Sequence, residues 1–264
     1  MTTRTNTTST DLYVEQWGDG IPVVLVHGSL ATGAQEWETQ RPLADAGFCL
    51  TIFDRRGYGS SPAAVGEDFI VDAADIAALL GDGAHLVGHS YGGLGALLAA
   101  AQRPEATLSL TLLEAPVTTC GLDNLVWSTL VDKLRAFWLD RELSDHAWVV
   151  EFLVAVGSDP SDFPAEFLSE AAASASVVRN GRPLFDAEVP LDAIRQARYP
   201  KLVVSGGHHP GFDAMCLDLA HRIGADHAVV EGAGHEIQFT GQPLNDLLCE
   251  LWLRAADPSA SIEP

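Results

Sequence analysis

The chain is poor in basic residues. Its 264 residues include 15 Lys and Arg against 36 Asp and Glu, which gives a formal net charge of -21 at pH 7. Such an excess of negative charge repels nucleic acids and anionic membrane surfaces, so we expect neither as a partner. Because the acidic residues are scattered along the chain, their main effect is on solubility, and they favour a neutral or cationic substrate only weakly.

Cysteines and long apolar runs are also scarce. No C-x-x-C pair occurs, and the four cysteines lie far apart at Cys49, Cys120, Cys216 and Cys249. We therefore expect free thiols rather than a disulfide framework. No uncharged apolar run approaches the length of a transmembrane helix, and the N-terminal segment has no apolar region typical of a secretion signal. These absences predict a cytoplasmic protein.

The chain does contain short apolar runs that alternate with helix-like segments. Continuous apolar runs such as residues 22–26, 48–53 and 201–205 are typical of a parallel sheet that is covered by helices on both faces. Between residues 117 and 199 the alternation stops, and helical segments rich in aromatic residues take its place. The sequence thus predicts an α/β fold with a core formed by residues 1–116 and 200–264 and a helical cap at 117–199.

A serine lies between a strand-like and a helix-like segment, in the sequence Gly88-His89-Ser90-Tyr91-Gly92. Glycines two residues before and two residues after the serine permit a sharp turn, because no side chain clashes across it. The turn forces Ser90 outward as an exposed nucleophile, and the backbone N–H of Tyr91 opens the following helix. A serine hydroxyl needs a base, and His235 is the best candidate because it follows the last predicted strand in a flexible Gly-Ala-Gly turn.

Three motifs together resemble the α/β-hydrolase superfamily: HG at 27–28 after a strand, GHSYGG at 88–93 and GAGH at 232–235. The loop DRRGYGSSP, which begins at Asp54, is similar to a further segment of that family. The resemblance covers essentially the whole chain outside the cap. It implies an α/β-hydrolase fold with a mostly parallel sheet, a Ser90 nucleophile, a His235 base and an oxyanion hole formed by the backbone N–H groups of Ser29 and Tyr91.

The acid departs from the commonest pattern of the family. Many members carry an aspartate after the penultimate strand, where this chain has His209, and an imidazole cannot orient the base as a carboxylate does. Other members place the acid after the strand that follows the elbow helix. The resemblance then assigns Glu114, with Asp213 as the rival.

A serine nucleophile favours acyl chemistry without a metal or an organic cofactor, and we expect none. The adjacent His208 and His209 lack further ligands at helical spacing, so we interpret them as loop residues rather than a metal site. The aromatic cap suggests an apolar pocket for a small hydrophobic ester or lactone, lined by Trp37, Trp127 and Trp138, although these rings could equally form the cap's own core.

Other functions use the same residues. Hydrolysis of a carbon–carbon bond and cofactor-free perhydrolysis remain alternatives on the same triad. A ligand-binding protein without activity is disfavoured, because such a protein has no need of a complete triad. The sequence is also compatible with a homo-oligomer.

Overall fold

A computed structural model describes residues 11–138 and 142–256 of the chain. Its centre is a seven-stranded sheet with the order β1-β3-β2-β4-β5-β6-β7. Strand β1 is antiparallel to β3, and the other neighbours are parallel. The strands are β1 Val14–Trp17, β2 Ile21–Val26, β3 Phe48–Phe53, β4 Ala84–His89, β5 Thr107–Leu113, β6 Lys201–Ser205 and β7 Asp226–Val229.

The α-helices of the described residues follow the strands or lie in the cap. They are α1 Gly33–Trp37, α2 Phe69–Leu79, α3 Ser90–Gln102, α4 Leu125–Trp138, α5 Asp145–Ala155, α6 Ala165–Arg179, α7 Leu191–Gln196, α8 Pro210–Ile223 and α9 Gln242–Ala256. Within these residues, no helix combines the length and apolar character that crossing a membrane requires.

Alternate residues of the strands belong to two separate hydrophobic clusters. Val24 and Val26 of β2 belong to a cluster that includes side chains of α2, α3 and α8. Val23 and Leu25 belong to a second cluster, which contains side chains of α1 and α9. Because successive side chains of a strand point to opposite faces, these clusters cover the two faces of the sheet. The predicted α/β fold with helices on both faces is confirmed.

The predicted cap lies between β5 and β6, and its described residues contain helices and loops. Its aromatic side chains pack on one another: the rings of Phe137 and Phe152 stack against Trp148 at centroid distances of 5.0 and 5.1 Å. These residues join or pack against the same hydrophobic cluster as α2 and α3, so the described part of the predicted cap packs on the core that covers this face of the sheet. Parts of the predicted segments, residues 1–10, 139–141 and 257–264, lie outside the described residues.

Helix α3 packs closely behind the loop that follows β2, and Gly92 makes this approach possible. A Cβ atom at Gly92 would lie 2.2 Å from the backbone oxygen of His27. His27 directly follows the central strand β2, so its backbone cannot move without moving that strand. Any larger residue at position 92 therefore forces the helix and the loop apart.

We therefore expect Gly92→Ala to lower the free energy of unfolding by at least about 1–3 kcal/mol, the usual cost of overpacking. Gly83→Ala is the matched control, because its Cβ would lie 3.4 Å from Leu108 and 3.8 Å from the backbone oxygen of Ala106, both ordinary van der Waals contacts. Urea denaturation of both variants tests the prediction. Equal stabilities would contradict it.

Candidate active site

The loops after five neighbouring strands meet at one edge of the sheet. The carboxyl ends of parallel strands share an edge, which is where α/β proteins place their ligands. Here β2 leads to Gly28 and Ser29, β4 to Ser90, β5 to Glu114, β6 to Gly206, and the loop after β7 carries His235.

Ser90 is the first residue of α3 and has a backbone φ of 49°. A non-glycine residue in this left-handed region is strained, and such strain is typical of functional sites. The turn depends on its glycines, since a Cβ at Gly88 would lie 2.7 Å from the Ala96 Cβ and 2.8 Å from the Gly93 Cα. The strand and the helix therefore pack tightly enough to present Ser90 at the edge of the sheet.

Two hydrogen bonds connect Ser90, His235 and Glu114. The Nε2 atom of His235 lies 3.0 Å from the Ser90 Oγ, and its Nδ1 atom lies 2.6 Å from the Glu114 Oε2. A carboxylate accepts, so Nδ1 carries the ring proton and Nε2 can accept the serine proton. The structure thus brings together the three residues that the resemblance assigned as nucleophile, base and acid.

Glu114 is completely buried and has a backbone φ of 44°. Its second oxygen, Oε1, accepts the N–H of Gly206 at 2.8 Å and lies 3.4 Å from the His208 Nδ1. Burial alone raises the pKa of Glu114, but its interactions with the nearby His208 and with the hydrogen-bonded His235 outweigh burial and lower the pKa to about 2. The carboxylate is therefore ionised throughout the neutral range.

His208 also connects Glu114 to the cap, a role that the sequence did not indicate. Its Nε2 atom lies 3.0 Å from the backbone oxygen of Val156, just beyond α5. Burial lowers the pKa of His208, but its interaction with the nearby Glu114 carboxylate reverses that effect and raises the pKa. The buried acid is thus surrounded by two histidines and a backbone amide.

The rival acid and the expected loop residue have other places in the structure. His209 accepts the Gly211 N–H at 3.1 Å with its Nδ1 atom and caps the N-terminus of α8. Asp213 lies in the first turn of the same helix. In the described part of the chain, the His235 Nδ1–H donates its hydrogen bond to Glu114 rather than to Asp213.

A metal ion has one group of candidate ligands among the described residues. Donor atoms of Glu114, His208 and His235 lie within 4.8 Å of one another. A cation held there by the His235 Nδ1 would replace the hydrogen bond from that atom to Glu114. The group therefore fits a hydrogen-bonded acid and base better than a metal centre.

The loop after β2 is held by the buried Arg55. The Arg55 Nη2 donates to the backbone oxygen of Gly28 at 2.8 Å, and its Nε donates to that of His27 at 3.0 Å. In a trans peptide the C=O and the next N–H point in opposite directions, so the Ser29 N–H points away from Arg55. The N–H of Tyr91 lies in the first turn of α3, where helix amides have no partner within the helix.

Buried acidic residues neutralise Arg55. Its guanidinium pairs with Glu67 at 2.9 Å and with Asp72 at 2.8 Å, and Glu67 also accepts the Ser29 hydroxyl. The role of Arg55 was not evident from the sequence. Its neighbour Arg56 pairs instead with Asp75, at 2.7 Å.

Two cavities meet at Ser90 and His235. The cavity that we call apolar has an empty volume of about 450 Å³ and is lined by residues that include Tyr91, Trp127, Leu134, Trp138, Leu184 and Phe212. The second, which we call polar, has about 460 Å³ and is lined by residues that include Glu36, His89, Glu236 and Gln238. Ser29 also lines both cavities.

Of the three tryptophans predicted to bind substrate, Trp127 and Trp138 line the apolar cavity. The prediction for Trp37 is wrong: it is fully buried in the cluster that covers the other face of the sheet. Trp37 is the last residue of α1, and its side chain packs into this cluster rather than against the apolar cavity.

Comparison with known proteins agrees with this architecture. A family model described as the alpha/beta hydrolase fold matches residues 21–242. The chain belongs to the alpha/beta hydrolase family. The resemblance drawn from the three sequence motifs is thereby confirmed.

This alpha/beta hydrolase has relatives whose names indicate different activities. It is 30% identical to the pimeloyl-[acyl-carrier protein] methyl ester esterase of Aeromonas hydrophila over 54% of the chain and 56% of that protein. It is 39% identical to the non-heme chloroperoxidase CPO-A1 of Kitasatospora aureofaciens over 31% of the chain and 32% of that protein. The matches thus span about a third to about half of these relatives.

Solved structures share the fold across nearly the whole chain. A thermophilic esterase from Thermogutta terrifontis has a TM-score of 0.69 at 23% identity and covers 94% of this chain and 96% of its own. Est816, described as an N-acyl homoserine lactone degrading enzyme, has a TM-score of 0.61 at 24% identity. The match covers 92% of this chain and 98% of the Est816 chain.

The depressed pKa of Glu114 predicts a particular dependence of stability on pH. The ionised carboxylate stabilises the folded state above its ordinary pKa of 4.5, and this contribution is lost as the pH falls towards about 2. By linkage, a shift of this size corresponds to roughly 3 kcal/mol.

We expect the difference in unfolding free energy between the wild type and Glu114→Gln to be large at pH 7 and to shrink below pH 4.5. Urea denaturation of both proteins over a pH series measures it, and the other carboxylates cancel because both proteins contain them. A difference that does not change with pH would contradict the prediction.

Proposed function

We propose that this alpha/beta hydrolase is a serine hydrolase that cleaves a carboxylic ester or lactone of a small hydrophobic molecule through an acyl-enzyme intermediate. The observation that carries the proposal is the chain of hydrogen bonds from Ser90 to His235 at 3.0 Å and from His235 to Glu114 at 2.6 Å. The esterase and lactonase names of relatives support the same reaction class.

In the first half of the reaction, Ser90 attacks the carbonyl carbon of the ester while the His235 Nε2 takes the serine proton. The Nδ1–H of His235 remains bonded to Glu114, whose negative charge stabilises the imidazolium that forms. His235 then returns the proton to the leaving alcohol oxygen. Because Glu114 is buried and ionised, its interaction with the imidazolium is screened little by water.

The developing oxyanion is received by the backbone N–H groups of Ser29 and Tyr91. Each such donor typically contributes about 3 kcal/mol to the transition state, provided that it is oriented in advance. Arg55 supplies this orientation on one side by holding the Gly28 carbonyl, and helix α3 supplies it on the other. In the second half of the reaction, water replaces the alcohol, with His235 again the base.

The apolar cavity supports a hydrophobic acyl or alcohol group in the substrate. Its lining carries almost no polar surface, and half of the residues that line it lie in the predicted cap. The polar cavity contains the carboxylates of Glu36 and Glu236. Because no Lys or Arg lines either cavity, a substrate with a negative charge near the scissile bond is disfavoured.

A panel of p-nitrophenyl esters and lactones tests the reaction class. We expect turnover of neutral esters, with a higher kcat/KM for hydrophobic acyl chains than for acids with a free carboxylate. Ser90→Ala should abolish turnover, which controls for nonspecific hydrolysis. Formation of a peracid and water from a carboxylic acid and hydrogen peroxide, or cleavage of a carbon–carbon bond, in the absence of ester turnover would contradict the proposal and favour an alternative reaction on the same residues.

The acid can be identified by matched amide variants. Glu114→Gln should lower kcat by roughly 10⁴-fold, because the amide no longer selects the tautomer of the base or stabilises its charge. Asp213→Asn should leave kcat close to that of the wild type, since its carboxylate is not the partner of the His235 Nδ1. Steady-state kinetics of the two variants on one ester decide between them, and the reverse result would assign Asp213.

A further inference from the structure

A second buried carboxylate and imidazole lie beside the proposed triad, on the wall of the polar cavity. Glu36 of α1 and His89, the last residue of β4, are 3% and 4% exposed. The His89 Nδ1 lies 3.0 Å from the Glu36 Oε1. Neither residue takes part in the reaction described above, yet His89 directly precedes Ser90 in the chain.

The hydrogen-bond partners of His89 define its protonation. Its Nδ1 faces a carboxylate, and its Nε2 lies 3.0 Å from the backbone oxygen of His235. Both partners can only accept, so the ring must donate from both nitrogens and is an imidazolium. Burial lowers the pKa of His89, but the charge and hydrogen bond of Glu36 outweigh burial and raise it.

Gln238 fits the same assignment. Its side-chain nitrogen is placed 3.4 Å from the His89 Nδ1, whereas its Oε1 has no hydrogen-bond partner among the described residues. The two ends of an amide are assigned from their partners, and turning this amide over brings an acceptor to the imidazolium. The surroundings of His89 therefore consist of acceptors.

Glu36 extends the pair to the oxyanion loop. Its two oxygens accept the backbone N–H of Gly28 at 3.0 and 2.9 Å. Gly28 directly precedes Ser29, whose own N–H is a proposed oxyanion donor. The pair thus contacts three separate segments: the loop after β2, the turn at Ser90, and the backbone of His235.

We propose that the Glu36–His89 ion pair is a positioning element that holds the oxyanion loop, the nucleophile turn and the backbone of the base in one arrangement. This inference rests on the proposed function. Removing one partner leaves the other as an uncompensated buried charge, so the three segments lose a shared anchor rather than a single contact. A misplacement of about 1 Å in such a site is enough to lower the rate by about 10²-fold.

The test combines a measurement of protonation with kinetics. In protein labelled with ¹⁵N-histidine, the ring signals of His89 are identified by their absence in His89→Gln. We expect two protonated ring nitrogens at pH 7 in the wild type. For Glu36→Gln and His89→Gln, we expect kcat, and the rate at which a fluorophosphonate labels Ser90, to fall by about 10²-fold with a small change in KM.

Two controls separate positioning from general loss of stability. Glu15→Gln neutralises a carboxylate that accepts side-chain hydrogen bonds from Tyr13 and Trp17, on the edge strand β1. His85→Gln removes a buried imidazole from the same strand as His89, where it bonds Ser109. Both should keep wild-type kcat, even if His85→Gln lowers the thermal midpoint. The double variant Glu36→Gln/His89→Gln should lose little more activity than either single variant, because the two residues act as a unit.

The possible results distinguish the ion pair, its positioning role and the proposed function. A neutral His89 ring at pH 7 would overturn the ion pair whatever the activity of the protein. An imidazolium with unchanged kcat in Glu36→Gln would overturn the positioning role. A wild-type protein that neither turns over esters nor reacts at Ser90 would instead overturn the proposed function, and with it the positioning role. The NMR spectrum would still show whether His89 is an imidazolium, because that measurement does not depend on activity.

Discussion

The site depends above all on one buried charge, the carboxylate of Glu114. It has no exposed surface, and an isolated charge there would be too costly to keep ionised. Hydrogen bonds from the Gly206 amide and from His235, with His208 nearby, make the ionised form stable. Gly206 and His208 lie in the loop between β6 and α8, and His235 lies in the loop after β7. The contacts that stabilise the charge therefore join these two loops to Glu114, which follows β5, beside Ser90.

Backbone strain and buried polar networks are concentrated at the same edge of the sheet. The non-glycine residues with positive φ, in the part of the chain that the structure describes, are Leu30, Ser90 and Glu114. All three follow strands of the sheet, at the edge where the candidate site lies. Strain of this kind persists only where the surroundings fix the backbone, and the Arg55 network and the Glu36–His89 pair provide such surroundings. The rigid sheet supplies the positions, and the polar networks set the orientation of individual peptide groups.

The sequence revealed the parts of this arrangement that depend on local patterns. Apolar runs located the strands, and the glycines around Ser90 and His235 marked the turns that follow two of them. Glu36, Arg55 and His208 were missed because their partners are distant in sequence; Glu36 and His89 are 53 residues apart. Trp37 was misassigned for a related reason: an aromatic residue near a loop gives no sign of the face of the sheet on which it packs.

The most direct measurement is a crystal structure of the protein after reaction with diethyl p-nitrophenyl phosphate, whose phosphoryl adduct resembles the tetrahedral intermediate. The account predicts phosphorus bonded to the Ser90 Oγ, a phosphoryl oxygen about 2.7–3.1 Å from the N–H groups of Ser29 and Tyr91, and His235 still bonded to Glu114. An adduct on another residue, or a phosphoryl oxygen that contacts neither amide, would contradict it.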